Sequence, residues 1–159
     1  MLYFAYGSNL DPAQMVQRCP SARFVTVAKL PDHDLAFTRY SGRRECGVSD
    51  AIAWKRRAVW GAVFAIAPRD FAALDESEGF KPRRAASKNA YTRRKRSVWK
   101  DGNPRERLAA WIYFATRQED APRPNAAYKK LIVDGAKHWQ LPSTYRRKLS
   151  RIKVQRRST

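Results

Sequence analysis

The chain opens with Met1-Leu2-Tyr3-Phe4-Ala5-Tyr6-Gly7-Ser8-Asn9-Leu10, the stretch that decides how its fold begins. The first five residues are apolar and are closed by Gly7-Ser8-Asn9, a pattern typical of a buried strand that runs into a turn. Asp11 and Pro12 then predict a helix, because Asp can cap a first turn and Pro suits the first helical position. Gln14 stands where a capping box places Glu or Gln. The opening unit is therefore a strand, a glycine-containing loop and a helix.

The stretch from Arg23 to Ile66 has the alternation of strands and lacks helical spacing. We predict four strands in it, at about 23–30, 33–40, 47–55 and 58–66. The last of these is apolar on both alternating faces, so we expect a central strand that is covered on both sides. Two more strands are predicted at about 90–99 and 106–115, as a hairpin with the turn Asp101-Gly102-Asn103-Pro104.

Helices are predicted between and after these strands. Pro68 opens a short helix that ends near Gly79. A longer helix ends before Pro142, and the residues on its apolar face are Tyr128, Ile132, Gly135 and Trp139. A last short helix is predicted from Ser143 to about Ile152.

Length and composition fit one compact domain. The chain has 159 residues, 43% of them hydrophobic, and its apolar stretches are spread from end to end. We expect one domain at 1–152, followed by a frayed basic tail at 153–159. The mixed order of strands and helices indicates an α+β fold built on a largely antiparallel sheet or barrel.

The charge of the chain is strongly positive, with 33 Lys and Arg against 14 Asp and Glu, which gives a formal net charge of +19. Such a charge attracts polyanions and raises nucleic acid as a partner. The basic residues lie in scattered runs, however, and dispersed charge is typical of a solvated surface. We therefore expect weak, non-specific polyanion binding at most.

Cysteine and histidine usage gives no sign of a metal site. Cys19 and Cys46 form no Cys-x-x-Cys pair, and His33 and His138 lie far apart in the sequence. Two isolated cysteines fit a reduced compartment. Since the sequence shows neither a secretory signal nor a bilayer-spanning run, we expect a cytoplasmic protein without metal, cofactor or membrane insertion.

The turn Gly7-Ser8-Asn9 is the first candidate site. A glycine-containing turn between a strand and a helix can present backbone N–H groups outward, and such a concavity binds carboxylate or phosphate oxygens. The alternative is an ordinary tight turn that uses Gly and Asn for their tolerance of unusual dihedral angles.

The sequence Asp75-Glu76-Ser77-Glu78-Gly79 is the second candidate, because it holds three of the 14 acidic residues of a basic chain. It lies at the C-terminal end of a predicted helix, where the helix dipole disfavours ionised carboxylates. A carboxyl held there beside other acids, or desolvated in a cleft, would have a raised pKa suited to acid–base catalysis. The alternative is a solvated acidic patch.

Tyr91, Tyr113 and Tyr128 form a third group, since each lies in a segment predicted to be structured. A buried phenol needs a hydrogen-bond partner. That partner is substrate if the tyrosine lines a cleft and protein if it belongs to the core, and the sequence leaves both open.

The two motifs together resemble the gamma-glutamylcyclotransferase superfamily. The similarity begins with Tyr3-Phe4-Ala5-Tyr6-Gly7-Ser8-Asn9-Leu10 and Leu74-Asp75-Glu76-Ser77-Glu78-Gly79. It resumes at Tyr113-Phe114-Ala115-Thr116, Ala121-Pro122, Tyr128-Lys129-Lys130, Gly135-Ala136-Lys137 and Leu141-Pro142, so it covers nearly the whole chain. The resemblance implies a small, mixed, largely antiparallel β-barrel flanked by helices, in which the loop and the acidic turn meet at one pocket.

The resemblance also implies roles for individual residues. Glu78, the second Glu of its motif, corresponds to the family's catalytic glutamate, whereas Asp75 and Glu76 match the motif without a catalytic role. The substrate's α-carboxylate would be held by the backbone of Gly7, Ser8, Asn9 and Leu10. The implied pocket tyrosines are Tyr3, Tyr6, Tyr91, Tyr113 and Tyr128.

The implied reaction is intramolecular and needs no cofactor. The α-amine of a small-molecule gamma-glutamyl amide attacks the γ-carbonyl, and 5-oxoproline and an amine or amino acid are released. Glu78 would take the proton from the α-ammonium and pass it to the leaving nitrogen. The amine portion stays open, because the segment 81–90 looks longer than in human-type relatives and its Lys81, Arg83, Arg84 and Lys88 would make the pocket rim more basic.

Two other functions compete with this one. The +19 charge favours a nucleic-acid-binding protein on the same scaffold, since a fold does not fix a function. A catalytically silent member that binds an anionic metabolite is disfavoured, because both the loop and Glu78 are retained.

Overall fold

The opening apolar run forms the first strand of a closed five-stranded barrel in the computed structural model, which describes residues 1–156. The strands are β1 (Leu2–Ala5), β2 (Arg23–Ser41), β3 (Cys46–Ala65), β4 (Tyr91–Lys100) and β5 (Arg107–Ala115). The helices are α1 (Pro12–Arg18), α2 (Pro68–Ser77), α3 (Ala126–His138) and α4 (Ser143–Ser150), and short 3-10 turns lie at Ser8–Leu10 and Ala86–Lys88.

The strands follow the order β1-β3-β2-β4-β5 around the barrel. Four neighbouring pairs are antiparallel, and the parallel pairing of β1 with β5, at Tyr3 opposite Trp111, closes the ring. The predicted α+β fold with a small, mixed and largely antiparallel barrel is thereby confirmed. The apolar end of β3 pairs with both β1 and β2, so it is the central strand that its sequence predicted.

The prediction of four separate strands between Arg23 and Ile66 is wrong in number, because they are the two long strands β2 and β3. Pro31 pairs with Ala58 and His33 with Ala53, so Asp32 alone faces the four residues 54–57. The backbone N–H of Arg56 donates to Asp32 Oδ1 (3.0 Å) and holds this bulge. The predicted breaks fall at the bulge, where the strands bend without ending.

The alternation of β1 divides the core into two parts. Phe4 lies in a cluster built almost wholly from strand residues, which fills the barrel. Tyr3 and Ala5 face the other way, into a cluster that the helices share. Full burial of a large apolar side chain such as Phe4 contributes about 1.5–3 kcal/mol, so this inside–outside pattern fixes the register of β1.

Helix α1 begins as predicted, with Pro12 at its first position and the Asp11 carboxylate accepting a hydrogen bond from the Gln14 N–H (3.0 Å). The Gln14 side chain does not complete a capping box. Its Nε2 donates instead to Ser8 Oγ and to Asn9 Oδ1, both at 2.8 Å. The first helix therefore steadies the loop that precedes it.

Helix α3 packs against that loop from the other side. Its buried face contains Tyr128, Ile132 and Gly135, as predicted, and the Trp139 indole N–H after the helix donates to the Leu10 carbonyl (2.9 Å). Gly135 lies so close that a Cβ atom on it would be 2.4 Å from the Leu10 backbone. The glycine thus allows α3 to touch the loop directly.

The C-terminal helix α4 ends at Ser150, two residues before the predicted end. Beyond it the Gln155 N–H donates to the Pro124 carbonyl (2.9 Å), which attaches this part of the predicted tail to the body. Residues 157–159 lie outside the described part, and the division at 152 stays a prediction. None of the helices within residues 1–156 has both the length and the apolar character needed to cross a membrane.

Replacement of Gly135 by Ala should destabilise the fold. Ala favours a helix interior by about 1 kcal/mol, but the new methyl would clash with backbone that cannot rotate away, and overpacking of this kind costs about 1–3 kcal/mol. We expect a net loss in the free energy of unfolding, measured by denaturant titration. Gly42→Ala is the control, since a Cβ at Gly42 meets nothing within 4 Å. Equal stability of both variants would contradict the close packing of α3 on the loop.

Candidate active site

The loop after β1 packs closely against the side chain of Ser49 on β3. A Cβ atom on Gly7 would lie 2.2 Å from Ser49 Oγ and 3.7 Å from the Tyr128 hydroxyl. Gly7 has φ −108°, which is not in the left-handed region that favours glycine. The lack of space beside Ser49 therefore favours glycine at this position.

The loop presents part of the predicted cradle. Ser8 and Asn9 are the first residues of the 3-10 turn, and the first N–H groups of such a turn have no partner inside it. Leu10 differs from the expectation, because it is fully buried and its N–H donates to the Gly7 carbonyl (3.0 Å). The backbone groups of Leu10 therefore serve the fold and are not directed at a ligand.

Glu78 is the residue that follows α2. The helix ends in a Schellman motif, in which the N–H of Phe80 donates to the Asp75 carbonyl (2.9 Å) and that of Gly79, at φ 64°, to the Glu76 carbonyl (3.1 Å). This tight end turns the Glu78 side chain toward the loop. Its Oε1 accepts a hydrogen bond from Asn9 Nδ2 (3.2 Å), so the two motifs meet.

The Asn9 amide has a defined orientation. Its oxygen accepts hydrogen bonds from Gln14 Nε2 (2.8 Å) and from the Arg18 guanidinium (3.0 Å). Its nitrogen donates to Glu78 and to the Tyr3 hydroxyl (3.0 Å). Because every amide group has a matching partner, Asn9 links the loop, α1 and the acidic turn into one network.

Burial raises the pKa of Glu78 above its ordinary value. Its side chain is only 15% exposed, and removal from water penalises the charged form. The Arg18 guanidinium, 3.6 Å from Oε1, and the hydrogen bond from Asn9 lower the pKa in the opposite direction. The environment thus favours a carboxyl that exchanges its proton more readily near neutral pH than a solvated one.

The other two acids of the motif have different surroundings. Asp75 is buried, accepts a hydrogen bond from the Tyr113 hydroxyl (2.5 Å) and lies 3.5 Å from the Arg93 guanidinium. Desolvation raises the pKa of Asp75 as well, while Tyr113 and Arg93 lower it. Glu76 is exposed. The three carboxyls of the motif therefore have three different environments and do not form one solvated acidic patch.

Five tyrosines surround a small inner recess beside Glu78. Its volume is about 30 Å³, enough for a few water-sized groups at ~10–15 Å³ each. The residues that line it are Tyr3, Tyr6, Gly7, Ser8, Asn9, Ser49, Glu78, Tyr91, Tyr113 and Tyr128. The structure thus brings together every site residue expected from the sequence except Leu10.

The tyrosine hydroxyls also have protein partners. Ser49 serves two of the five, because its Oγ and its N–H both contact the Tyr128 hydroxyl (2.9 and 3.1 Å) and its carbonyl accepts from Tyr91 (2.6 Å). The Tyr6 hydroxyl donates to the Tyr113 carbonyl (2.6 Å). Burial raises the pKa of all five phenols, so they are neutral hydrogen-bonding groups at physiological pH.

A larger outer cavity of about 370 Å³ adjoins the recess at Ser8, Glu78, Tyr91 and Tyr128. Its basic lining residues are Arg18, Arg39, Arg43 and Arg44. The sequence instead indicated a basic rim from the segment 81–90. None of Lys81, Arg83, Arg84 and Lys88 lines the cavity, and Arg84 binds the Gly79 carbonyl (3.1 Å) and so holds its own loop.

Sequence reasoning missed Ser49, Arg18 and Gln14. A lone serine in a strand carries no signal, because its role depends on which tyrosines the fold brings to it. Gln14 and Arg18 are four residues apart on α1 and therefore share a face, which is a usable signal for side chains that turn to the same loop. Within residues 1–156, no group of three or more His, Cys, Asp and Glu side chains is arranged to hold a metal ion.

The chain is similar in sequence to a family of known enzymes. Residues 58–149 match the family model described as AIG2-like. A mouse gamma-glutamylcyclotransferase is 35% identical over 156 residues, which cover 95% of this chain and 78% of the mouse protein. The chain belongs to the gamma-glutamylcyclotransferase family.

Other members of the family give the same result. The human gamma-glutamylcyclotransferase is 34% identical over 155 residues and is covered to 78%. A solved structure named gamma-glutamyl cyclotransferase superposes with a TM-score of 0.87 at 30% identity, covering 100% of this chain and 91% of the other. The resemblance drawn from the sequence is confirmed, and so is the prediction that the chain belongs to a family of enzymes.

Replacement of Gly7 by a larger residue should strain the site, because there is no space for a side chain beside Ser49. Gly7→Ala places a methyl 2.2 Å from Ser49 Oγ, so we expect a loss of about 1–3 kcal/mol in the free energy of unfolding. Adding Ser49→Ala removes that oxygen and should recover part of the loss, with Ser49→Ala alone as the reference. Thermal and denaturant melts of the three variants measure this coupling, and strictly additive effects would contradict direct contact.

Glu78 should cost stability at neutral pH. Its folded-state pKa is raised, so the folded chain binds more protons than the unfolded one and stability falls as pH rises through this range. Glu78→Gln should therefore melt as high as the wild type or higher at pH 7. The difference should vanish below about pH 4, where a carboxyl is protonated in both states. Glu76→Gln is the control, because Glu76 is exposed. The desolvation argument would be contradicted if Glu78→Gln lost stability relative to wild type on going from pH 4 to pH 7.

Proposed function

We propose that this chain is a gamma-glutamylcyclotransferase-type enzyme that cleaves a gamma-glutamyl amide and releases 5-oxoproline and an amine or amino acid. One observation carries the proposal. In a member of this family, a buried carboxyl, Glu78, is hydrogen-bonded to the loop Gly7–Asn9 at the meeting point of two cavities. No cofactor takes part in the proposed reaction.

The glutamyl end of the substrate binds in the inner recess. Its α-carboxylate accepts hydrogen bonds from the N–H groups of Ser8 and Asn9, which have no backbone partner within residues 1–156, and the closeness of Gly7 to Ser49 keeps this loop rigid. The recess holds only a few heavy atoms, which fits a carboxylate. This anchor leaves the α-nitrogen beside Glu78.

Ring closure joins two atoms of the same substrate molecule. The α-nitrogen attacks the γ-carbonyl carbon, a C–N bond forms in a five-membered ring, and the original amide C–N bond breaks. A bent conformer held in place gains the rate advantage of an oriented intramolecular reaction. The neutral tyrosines Tyr3, Tyr91, Tyr113 and Tyr128 line the recess that holds the carboxylate of that conformer, and they limit water entry.

Glu78 moves the protons. Over one turnover the α-ammonium loses two protons, the leaving nitrogen gains two, and Glu78 begins and ends as a carboxylate. The raised pKa of Glu78 strengthens it as a base toward the ammonium and keeps it able to donate to the leaving nitrogen. Asn9 and Arg18 fix the position of the carboxyl and keep part of its population ionised.

The cellular setting belongs to the same proposal. Cys19 and Cys46 are free and buried, which fits a reduced cytoplasmic compartment. Weak, non-specific polyanion binding stays a prediction from the +19 charge, and the steep fall of such binding with salt would identify it.

The decisive variant is Glu78→Gln. Glutamine keeps the size of the side chain and can still accept the hydrogen bond from Asn9, but it cannot take the ammonium proton. The attacking nitrogen stays protonated, so kcat should fall by ~10²–10⁴-fold, the usual effect of losing a general acid–base. KM should change little, because the substrate carboxylate is held by the loop. The measurement is 5-oxoproline release from a panel of gamma-glutamyl amides.

Glu76→Gln serves as the matched control. It removes the same charge two residues away from an exposed position, and its kcat should stay within a few-fold of wild type. If wild type turns over a substrate and Glu78→Gln matches it, Glu78 is not the proton carrier. If wild type releases 5-oxoproline from no amide in the panel, the proposed reaction itself is wrong.

A further inference from the structure

The outer cavity carries more positive than negative side chains. Four arginines line it, Arg18, Arg39, Arg43 and Arg44, together with the carboxyls of Glu76 and Glu78. Arg18 is committed to Glu78 at 3.6 Å and to the Asn9 amide. The other three arginines face one exposed carboxylate, so the cavity has a surplus of about two positive charges.

These three arginines come from one short stretch of chain. Arg39 lies near the end of β2, and Arg43 and Arg44 lie in the turn that leads to β3. The turn is held by the Ser41 carbonyl, which accepts from the N–H of Glu45 (2.7 Å), and by Asn125 Nδ2, which donates to the Arg44 carbonyl (2.9 Å). The arginine side chains therefore start from a fixed backbone at the cavity mouth.

Most donors of these guanidinium groups have no partner in the described part of the chain. Arg39 donates one hydrogen bond, to the Thr116 carbonyl (3.1 Å), and Arg44 donates one, to Gln14 Oε1 (2.5 Å). Arg43 is exposed, and its side chain has no hydrogen-bond or ion-pair partner within residues 1–156. Each guanidinium carries five N–H donors in a fork that matches carboxylate and phosphate oxygens. The stretch can thus bind two or more anionic oxygens.

Size decides which part of a substrate reaches these arginines. The inner recess of about 30 Å³ takes the carboxylate end, whereas the outer cavity of about 370 Å³ is the space into which a group leaving from beside Glu78 extends. We propose that the cavity selects gamma-glutamyl amides whose amine portion carries two negative charges, as two carboxylates or one phosphate, and that Arg39 and Arg43 determine this preference. The inference rests on the proposed function.

The charge balance disfavours other amine portions. A cationic amine would be repelled by the surplus of arginines, and a neutral one would leave their charge uncompensated. A single carboxylate would neutralise only part of the surplus. A dianion matches it, and a phosphate at pH 7 carries about −1.5 to −2 charges.

Two matched substrate pairs test the preference. One compares the gamma-glutamyl amide of glutamate with that of glutamine, and the other compares the amides of phosphoethanolamine and ethanolamine. Each pair differs in one anionic group, and the glutamate and glutamine amides are also nearly equal in size. For wild type, kcat/KM for 5-oxoproline release should be at least ~10-fold higher for the more anionic member of a pair, the effect expected for a charge-assisted hydrogen bond. If only the phosphoethanolamine amide is preferred over its partner, the site binds phosphate. If only the glutamate amide is preferred over its partner, the site binds a second carboxylate.

The double variant Arg39→Gln/Arg43→Gln should reduce that ratio by about tenfold, toward 1. Arg94→Gln removes an exposed arginine from β4, away from the cavity, and should leave both the ratio and the basal rate unchanged. Binding of the same four amides to Glu78→Gln protein, with and without the two arginine substitutions, gives a second readout by calorimetry that does not depend on turnover.

The two proposals fail differently. If 5-oxoproline is released with equal efficiency from both members of each pair, or if the preference survives in the double variant, the arginine inference is overturned and the proposed function stands. If no amide is turned over but calorimetry shows anionic preference that the double variant loses, the arginine site stands and the reaction is wrong. Equal binding of all four amides without turnover overturns both.

Discussion

The hydrogen bond between Asn9 and Glu78 is the contact on which the rest of the site depends. It joins the end of β1 to the end of α2, two segments that are 69 residues apart in the chain. Neither partner is positioned alone. Asn9 is oriented by Gln14 and Arg18 from α1, and Glu78 is aimed by the tight glycine-ended terminus of α2. The barrel brings β1 between β3 and β5, and this placement puts the loop within reach of the acidic turn.

The position of Glu78 in this contact suits proton exchange but lowers the stability of the fold. A carboxyl with its side chain 15% exposed is a poor choice for stability, since desolvation penalises its charged form. Nearby Arg18 compensates in part without forming a close ion pair, at 3.6 Å. A tighter salt bridge would lower the pKa of Glu78 further and weaken it as a base. The loose pairing is therefore a compromise between an ionised group and one that can still exchange protons.

Features that depend on neighbouring residues could be predicted from the sequence, whereas features that depend on contacts between distant residues could not. The strand, loop and helix at the start of the chain follow from nearest-neighbour rules, as does the end of α2 at Glu78 and Gly79. The bulge at Asp32 was interpreted as a break, because a local pattern cannot show that the strand resumes in register with the same partner. The roles of Ser49 and Leu10 depend on contacts across the fold. Ser49 meets Gly7, Tyr91 and Tyr128 only after the barrel closes, and the Leu10 N–H is used inside its own turn.

The basic rim shows why charge runs mislead when they are interpreted from sequence. The segment 81–90 and the turn at 39–44 are both rich in basic residues, and the first lies closer in sequence to Glu78. Arg84, however, turns back to bind Gly79 and Asn89 and stabilises its own loop. The turn at 39–44 reaches the cavity because β2 and β3 are long enough to extend to its mouth. The residues proposed for the chemistry lie at the ends of short elements near the barrel, whereas the arginines proposed to face the leaving group lie at the tip of a long hairpin. Substitutions in that tip can therefore change which amine the cavity accepts without disturbing the Asn9–Glu78 contact.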